Sequence, residues 1–133
     1  MPGKHLLDTN IVVALFKDDK EVRKQLSAST EVFLPSIVIG ELYYGARHSA
    51  HVERNMTQVQ ELAKAMTVLA CDADTAEYYG EVKNDLKVKG NPSSENDVWI
   101  AAVAKQHLLT VVTRDQHFKA IGGLGERQLI TYQ

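Results

Sequence analysis

The chain has 133 residues, of which 44% are hydrophobic, and this length and composition fit one compact domain with a buried core. The formal net charge of -2 argues against the broad basic surface by which many proteins hold nucleic acid, so any such contact must be local or bridged by metal. The single cysteine, Cys71, excludes an internal disulfide and a thiolate metal cage, and it predicts a cytoplasmic location. No apolar run approaches membrane-spanning length, so we expect no membrane partner.

Five short apolar runs rich in strand-forming residues are predicted to be β-strands, and longer stretches with helical spacing separate them. This alternation predicts an α/β fold in which helices cover both faces of a mostly parallel sheet, forming three layers. We expect a single domain over residues 1–133. The predicted strands are Lys4–Leu7, Val32–Leu34, Thr67–Ala70, Leu109–Thr113 and Gln128–Thr131.

The helices are predicted from their start signals and their apolar faces. The first covers Ile11–Phe16, and Ser36 is predicted to cap a helix that follows the second strand. The polar segment 48–65 has apolar residues at helical spacing, which predicts a helix that leans on the sheet or on a neighbouring helix. Two further helices are predicted to begin at capping boxes, formed by Asp74 with Glu77 and by Ser94 with Asp97.

Four acidic residues lie near the predicted carboxyl ends of strands or just inside the helices that follow. Asp8 ends the first strand in LLDTN, and Asp115 follows the fourth strand in VVTRDQHF. Asp97 stands beside Asn96 in ENDVWIAA, at the first turn of its helix. Each of these three aspartates also has a capping or turn role available. Glu41 lies five residues beyond the predicted cap of its helix, where no capping box would use it.

The carboxyl ends of parallel strands are where open α/β sheets bind ligands. Carboxylates gathered there would repel one another and raise one another's pKa values, and a hard divalent cation removes that penalty. Ligation by oxygen alone, without cysteine or clustered histidine, favours Mg²⁺ or Mn²⁺ over zinc. The convergence of the four acids depends on a strand order that spacing does not supply.

Four segments in this order make the chain similar to the PIN-domain nucleases, particularly the VapC-type toxins of bacterial toxin–antitoxin pairs: LLDTN, PSIVIGELYYGA, ENDVWIAA and TVVTRDQHF. The resemblance covers nearly the whole chain. It implies a five-stranded parallel sheet of order 3-2-1-4-5, with an acidic site between the first and fourth strands. The chain departs from the family pattern in NPSSE, before Asn96, and in the tail after Phe118, which bear on substrate contacts and the last strand.

The resemblance also implies roles for individual residues. The positions that match the family's acids, and would bind metal directly or through water, are Asp8, Glu41, Asp97 and Asp115. Their polar neighbours, which would orient carboxylates or waters, are Thr9, Asn10, Asn96 and Thr113. Two basic residues near Asp115, Arg114 and Lys119, are candidates for contacts with substrate phosphates, with ordinary surface charge as the alternative.

The activity that the resemblance implies is that of a Mg²⁺-dependent endoribonuclease, with Mn²⁺ as a substitute. A metal-activated water would hydrolyse an RNA phosphodiester and leave 5′-phosphate and 3′-hydroxyl ends. A cognate antitoxin that covers or distorts the acidic site and a homodimer are implied as partners.

Other functions remain open at this point. A receiver-type signalling domain would use an aspartate and a hydroxyl placed like Asp72 and Thr113, but the chain lacks its acidic pair and its final lysine. A haloacid-dehalogenase-like phosphatase would need a second aspartate where Asn10 stands. A PIN module that only binds nucleic acid and a structure-specific DNA nuclease are the remaining alternatives.

Three aromatic residues lie on two of the matching segments. For these residues, packing in or at the edge of the core is the favoured role, and base stacking or an interface is the alternative. They are Tyr43, Tyr44 and Trp99.

Overall fold

The computed structural model describes residues 3–27, 31–116, 118 and 121, together with the backbone of 129–131. Strands and helices alternate along this part of the chain. The strands are β1 Lys4–Leu7, β2 Glu31–Pro35, β3 Thr67–Leu69, β4 Thr110–Thr113 and β5 Leu129–Thr131. The helices are α1 Thr9–Phe16, α2 Lys20–Leu26, α3 Ser36–Arg47, α4 Val52–Ala65, α5 Ala73–Lys89 and α6 Glu95–His107.

The five strands form one parallel sheet of order β3-β2-β1-β4-β5, which confirms the predicted fold class and strand order. The central strand, β1, carries Leu6 and Leu7 on opposite faces, and both are buried. Helices therefore cover both faces of the sheet at its centre, as parallel sheets require. From β1 the chain adds β2 and β3 on one side of the sheet, and then β4 and β5 on the other side. The carboxyl ends of β1 and β4 therefore flank a crevice.

Two apolar helices pack beside this crevice. Helix α1 has no charged residue, and Ile11 and Val12 are fully buried in its first turns. Helix α6 is buried continuously from Ile100 to Ala104, so most of its circumference contacts protein. Each fully buried Ile or Val side chain contributes about 1.5–3 kcal/mol. Burial of these apolar surfaces holds the polar first turns of both helices at the edge of the sheet.

The starts of α3 and α5 differ from the prediction. Pro35, with an extended backbone, occupies the cap position of α3 and makes no side-chain capping bond, so Ser36 is the first helical residue instead of the cap. Asp72, not Asp74, caps α5, and it exchanges hydrogen bonds of 3.0 and 3.1 Å with Thr75. A cap needs an extended backbone at the residue itself, and Asp74 already lies inside the first turn. Ser94 caps α6 as predicted.

The polar segment predicted as a helix is α4, which packs against α3 and β3. Val59 is its fully buried residue, and the rest of its surface is largely polar. In the described part of the chain, no helix combines the length and the apolar character needed to span a membrane.

Candidate active site

Asp8 lies at the carboxyl end of β1 and is the cap of α1, with only 5% of its surface exposed. Its backbone N–H continues the sheet by donating to the Val112 carbonyl at 3.0 Å. One carboxylate oxygen, Oδ1, accepts a 2.7 Å hydrogen bond from the backbone N–H of Thr9. The capping role expected of this aspartate is therefore real, and it leaves the second carboxylate oxygen for other contacts.

The second oxygen of Asp8, Oδ2, is held by side chains from two elements. Thr113, fully buried at the end of β4, donates its hydroxyl to this oxygen at 2.6 Å, and Asn10 Nδ2 donates at 3.3 Å. The Thr113 hydroxyl also accepts hydrogen bonds from Asn10 Nδ2 at 3.3 Å and from the backbone N–H of Asp115 at 2.9 Å. All three hydrogen-bonding positions of the hydroxyl are thus used. This network fixes the orientation of the Asp8 carboxylate.

A cleft of about 470 Å³ opens beside Asp8, and all four predicted acids line it. Asp8 and Asp115 follow β1 and β4, neighbouring strands whose carboxyl ends flank the crevice. Glu41 projects from α3 and Asp97 from the first turn of α6, and both helices pack against each other. The structure therefore brings together four carboxylates that are distant in the sequence.

Burial and mutual repulsion alter the protonation of two of these acids. Burial raises the pKa of Asp97 to about 6, and the negative charges of Asp8, Asp115 and Glu41 add to the rise, whereas a hydrogen bond from Ser94 opposes it. Burial also raises the pKa of Asp8, opposed by its hydrogen bonds from Thr113 and Thr9. The cleft thus concentrates negative charge in a partly desolvated space, which favours a bound cation.

Among the described residues, no three Asp, Glu, His or Cys side chains lie where they could together bind one metal ion directly. A hydrated Mg²⁺ ion does not need three such ligands, because it usually keeps several waters and binds through one or two carboxylates. The carboxylates and amide of the cleft offer oxygen donors, which suit a hard divalent cation. The residues present therefore fit a hydrated divalent ion.

The predicted neighbours of the acids occupy different places. Thr9 and Asn10 line the cleft, whereas Thr113 lies buried beneath Asp8. The Thr9 hydroxyl is buried and has no hydrogen-bond partner in the described part of the chain, so Thr9 holds Asp8 through its backbone. Asn96 lines a separate cavity that adjoins the cleft. Lys119 lies outside the described residues.

Arg114 lines the cleft and is fixed by two contacts. Its backbone N–H donates to Asn10 Oδ1 at 3.0 Å, and its guanidinium Nη2 lies 2.6 Å from Oδ2 of Asp19, the cap of α2. The other Asp19 oxygen accepts the backbone N–H groups of Glu21 and Val22. One aspartate therefore both caps α2 and holds a cationic side chain at the edge of the acidic cleft.

Sequence reasoning missed two residues here. Lys17 lines the cleft at the end of α1, and its spacing of seven residues from Asn10 could have placed both on one helical face. Asp19 had no local signal, because its contact with Arg114 joins distant parts of the chain.

Comparison with known proteins adds to this geometry. The family model described as PIN domain matches residues 5–124. The chain belongs to the PIN-domain family. It is 32% identical to Ribonuclease VapC2 of Haemophilus influenzae, over 84% of this chain and 86% of that protein. It is 33% identical to the tRNA(fMet)-specific endonuclease VapC of Salmonella typhimurium, over 91% of this chain and 94% of that protein. A chain in the crystal structure of VapBC2 from Rickettsia felis, bound to a DNA fragment from their promoter, superposes with a TM-score of 0.85 at 29% identity, covering 98% of this chain and 99% of that one.

These similarities span nearly the whole PIN domain and confirm the resemblance carried by the four sequence segments. They do not favour the receiver or phosphatase alternatives. PIN nucleases generally depend on divalent metal ions, in keeping with the oxygen-lined cleft of this chain.

Proposed function

We propose that this PIN domain is a metal-dependent endoribonuclease and the toxin of a toxin–antitoxin pair. The observation that carries the proposal is the meeting of four carboxylates in one cleft at the switch point of the sheet. RNA as the substrate is supported by the similar proteins, which are named ribonuclease and tRNA-specific endonuclease. We infer that residues 1–133 form a single nuclease domain, since the family match covers 5–124.

The residues that would hold the ion, directly or through water, are Asp8, Glu41, Asp97 and Asp115. Mg²⁺ is the expected ion and Mn²⁺ a substitute, because both prefer oxygen ligands. When bound, the ion supplies an activated water and stabilises charge on the leaving oxygen. Direct hydrolysis in this way leaves a 5′-phosphate and a 3′-hydroxyl.

The remaining polar groups orient the acids and the substrate. Thr113 and Asn10 hold one oxygen of the Asp8 carboxylate, and the Thr9 backbone holds the other, so the acid keeps one orientation. Arg114 and Lys17 bring positive charge to the acidic cleft, where they can contact phosphates on either side of the cleaved bond. This local placement of charge suits a chain whose formal net charge is -2.

An antitoxin partner is supported by similarity to a chain of the Rickettsia felis VapBC2 complex. A small protein that covers or distorts the acidic cleft would block access of RNA to all four carboxylates at once. The homodimer and the cytoplasmic location stay predictions.

The decisive experiment compares wild type with Asp8→Asn on total cellular RNA in Mg²⁺, in Mn²⁺ and in EDTA, with mapping of the new ends. Wild type should cleave only with metal, and the cleavage rate of Asp8→Asn should fall at least roughly a hundredfold, which is the upper end of the loss when a residue that only supports a metal ligand is replaced. Asp74→Asn is the matched control, because Asp74 is exposed on α5 and away from the cleft. Equal cleavage by Asp8→Asn and wild type would refute the proposal. A DNA substrate of matched sequence tests the alternative, because a DNA nuclease would cleave the DNA and leave the RNA intact.

A further inference from the structure

Tyr44 is the aromatic residue with the greatest exposure in the described part of the chain, at 67%. Packing in or at the edge of the core, the role favoured from the sequence, is therefore wrong for this residue. The inward face of α3 is formed by Val38, Leu42 and Ala46, which are all buried, and Tyr44 lies off that face. A large, exposed aromatic ring on the helix that carries Glu41 is available to a ligand that enters the site.

Tyr44 helps to form a cavity of about 620 Å³, here named the tyrosine pocket. The tyrosine pocket adjoins the acidic cleft, because Thr9 and Glu41 line both. Five of its seven lining residues carry a polar group and Ile37 is the one aliphatic side chain among those in the described part of the chain, although apolar atoms supply more of the exposed wall than polar atoms do. Its lining residues are Thr9, Ser36, Ile37, Gly40, Glu41, Tyr44 and Asn96.

The Tyr44 ring is supported by His48, one helical turn further along the chain. The two ring centroids are 4.2 Å apart and the rings are tilted by 42°. The His48 ring is itself oriented, because its Nδ1 lies 3.0 Å from the Tyr44 carbonyl oxygen. The tyrosine ring thus has a partner on one side while most of the residue remains accessible to a flat ligand.

We propose that the tyrosine pocket binds one unpaired nucleobase of the RNA next to the cleaved bond, with the base stacked on Tyr44. This inference rests on the proposed ribonuclease function and adds to it a subsite for one base beside the cleaved bond. An aromatic side chain stacks on unpaired bases, whereas paired bases in a duplex are not accessible to it. The Asn96 amide and the Ser36 hydroxyl offer hydrogen-bond donors and acceptors to the base edge.

A nucleobase explains the pocket better than a protein surface does. The pocket is continuous with the carboxylates that would hold the metal ion, so a nucleotide beside the cleaved phosphate reaches it without leaving the site. Its wall combines one aromatic ring, which can stack on a base, with hydroxyl, amide and carboxylate groups, which can form hydrogen bonds with the base edge.

Helix α3 offers a matched pair of substitutions that separates this pocket from the neighbouring surface. A Cβ atom added at Gly40 or at Gly45 meets nothing within 4 Å, so both positions tolerate a side chain. Gly40 lines the tyrosine pocket, whereas Gly45 lines a different groove, which is formed by α1, α3 and α4. Gly40→Leu therefore places a bulky side chain at the wall of the pocket, and Gly45→Leu makes the same change on the same helix outside it.

The first test measures binding of a labelled single strand of RNA, about 20 nucleotides long, in the Asp8→Asn background where cleavage is removed. Tyr44→Ala should weaken binding by roughly 5- to 100-fold, while Tyr44→Phe and Tyr44→Trp should stay within about threefold of the parent. Gly40→Leu should weaken binding in the same range as Tyr44→Ala, and Gly45→Leu should remain within about twofold. A duplex of the same sequence should bind independently of Tyr44.

The second test removes bases from the RNA one at a time. Replacing one nucleotide by an abasic residue should weaken binding to the parent, but should have little further effect on Tyr44→Ala, which shows that the two changes remove the same contact. Unchanged binding of the single strand by Tyr44→Ala would overturn the proposal. A change in oligomeric state by Tyr44→Ala, with RNA affinity unchanged, would overturn it too and assign the ring to an interface between copies.

Failure of the proposed function gives a different result. If wild type cleaves no RNA in either metal ion, the ribonuclease assignment falls, whatever the binding data show. If wild type cleaves RNA but neither binding nor the cleavage rate responds to Tyr44→Ala, only the nucleobase pocket falls.

Discussion

The hydroxyl of Thr113 donates a 2.6 Å hydrogen bond to Oδ2 of Asp8, and both residues are buried where β1 and β4 lie side by side. The same hydroxyl accepts the backbone N–H of Asp115. One side chain thus ties two of the candidate metal-binding acids to each other and to the centre of the sheet.

Replacing Thr113 by valine keeps the shape of the side chain but removes its hydroxyl. Asp8 Oδ2 then loses its shortest hydrogen bond, and the N–H of Asp115 loses an acceptor. We expect the free energy of unfolding to fall by about 1–3 kcal/mol and cleavage to slow by at least roughly tenfold. Urea denaturation and initial rates measure the two effects. Thr113→Ser, which keeps the hydroxyl, should retain most of the activity, and equal losses in both variants would contradict the role of the hydroxyl.

Asp97→Asn should stabilise the metal-free protein while it abolishes cleavage. The pKa of Asp97 is raised from its ordinary value of 3.8 to about 6, so the folded protein holds this proton more tightly than the unfolded chain does. The free energy of unfolding therefore falls as the pH rises between these values, and above them the wild type carries the full cost of the buried charge.

After allowance for the partial exposure of Asp97, asparagine should raise the free energy of unfolding near pH 7.5 by about 1–2 kcal/mol. The helix cap is kept, because Ser94 binds the backbone N–H of residue 97. Urea denaturation in EDTA from about pH 4 to pH 8 checks the slope, which should be shallower in Asp97→Asn. The other carboxyls contribute equally to both proteins: Asp8, whose pKa is also raised, adds slope of the same sign, and Asp19, Asp72 and Glu95, whose pKa values are lowered, add slope of the opposite sign. A destabilised variant at pH 7.5 would contradict this account.

Mg²⁺ should stabilise the folded protein through Glu41. An ion at a hundred times its dissociation constant adds about 2.7 kcal/mol to the free energy of unfolding, because it binds only the folded state. Glu41→Gln should lose most of this gain, since an amide is a weaker ligand than a carboxylate. Glu77→Gln, on the exposed surface of α5, provides the same charge change as a control. Thermal denaturation in Mg²⁺ and in EDTA measures the gain, and an equal gain in Glu41→Gln would exclude Glu41 as a ligand.

Asp19→Asn should weaken RNA binding through Arg114. Asparagine caps helices as well as aspartate does, so α2 should keep its start, but the charged contact with the guanidinium is lost. Arg114 is the first cause of the lowered pKa of Asp19, which keeps the carboxylate charged through the neutral pH range. We expect KM for RNA to rise by about three- to tenfold, with kcat within about twofold, as for a phosphate contact.

Asp18→Asn is the matched control for this substitution. Asp18 precedes Asp19, pairs with the exposed Arg23, and has a positive φ of 58° that asparagine also tolerates. Its steady-state constants should stay close to those of wild type. Equal increases of KM in both variants would indicate a general effect of charge instead of an oriented Arg114.

The positions of Asp8 and Asp115 could be predicted from the sequence, because a short apolar run that ends in a polar residue marks the carboxyl end of a buried strand. The start of α5 could not, because Asp72 and Asp74 are both acceptable caps in composition. Only the backbone conformation at each residue decides which one accepts the N–H of Thr75. The exposure of Tyr44 could not be predicted either. Apolar side chains occur around most of the circumference of α3, so their spacing in the sequence does not identify the outward face of the helix.

By itself, the sequence determined the alternation of strands and helices, the family, and the four acids, because these properties are carried by local patterns of side chains. Only the tertiary structure decided that Glu41 and Asp97 share a cleft with Asp8 and Asp115, because the order β3-β2-β1-β4-β5 and helix packing set that proximity. It also decided the pairing of Asp19 with Arg114. Such contacts join segments far apart in the chain, and their free energy depends on burial and geometry that no local pattern contains.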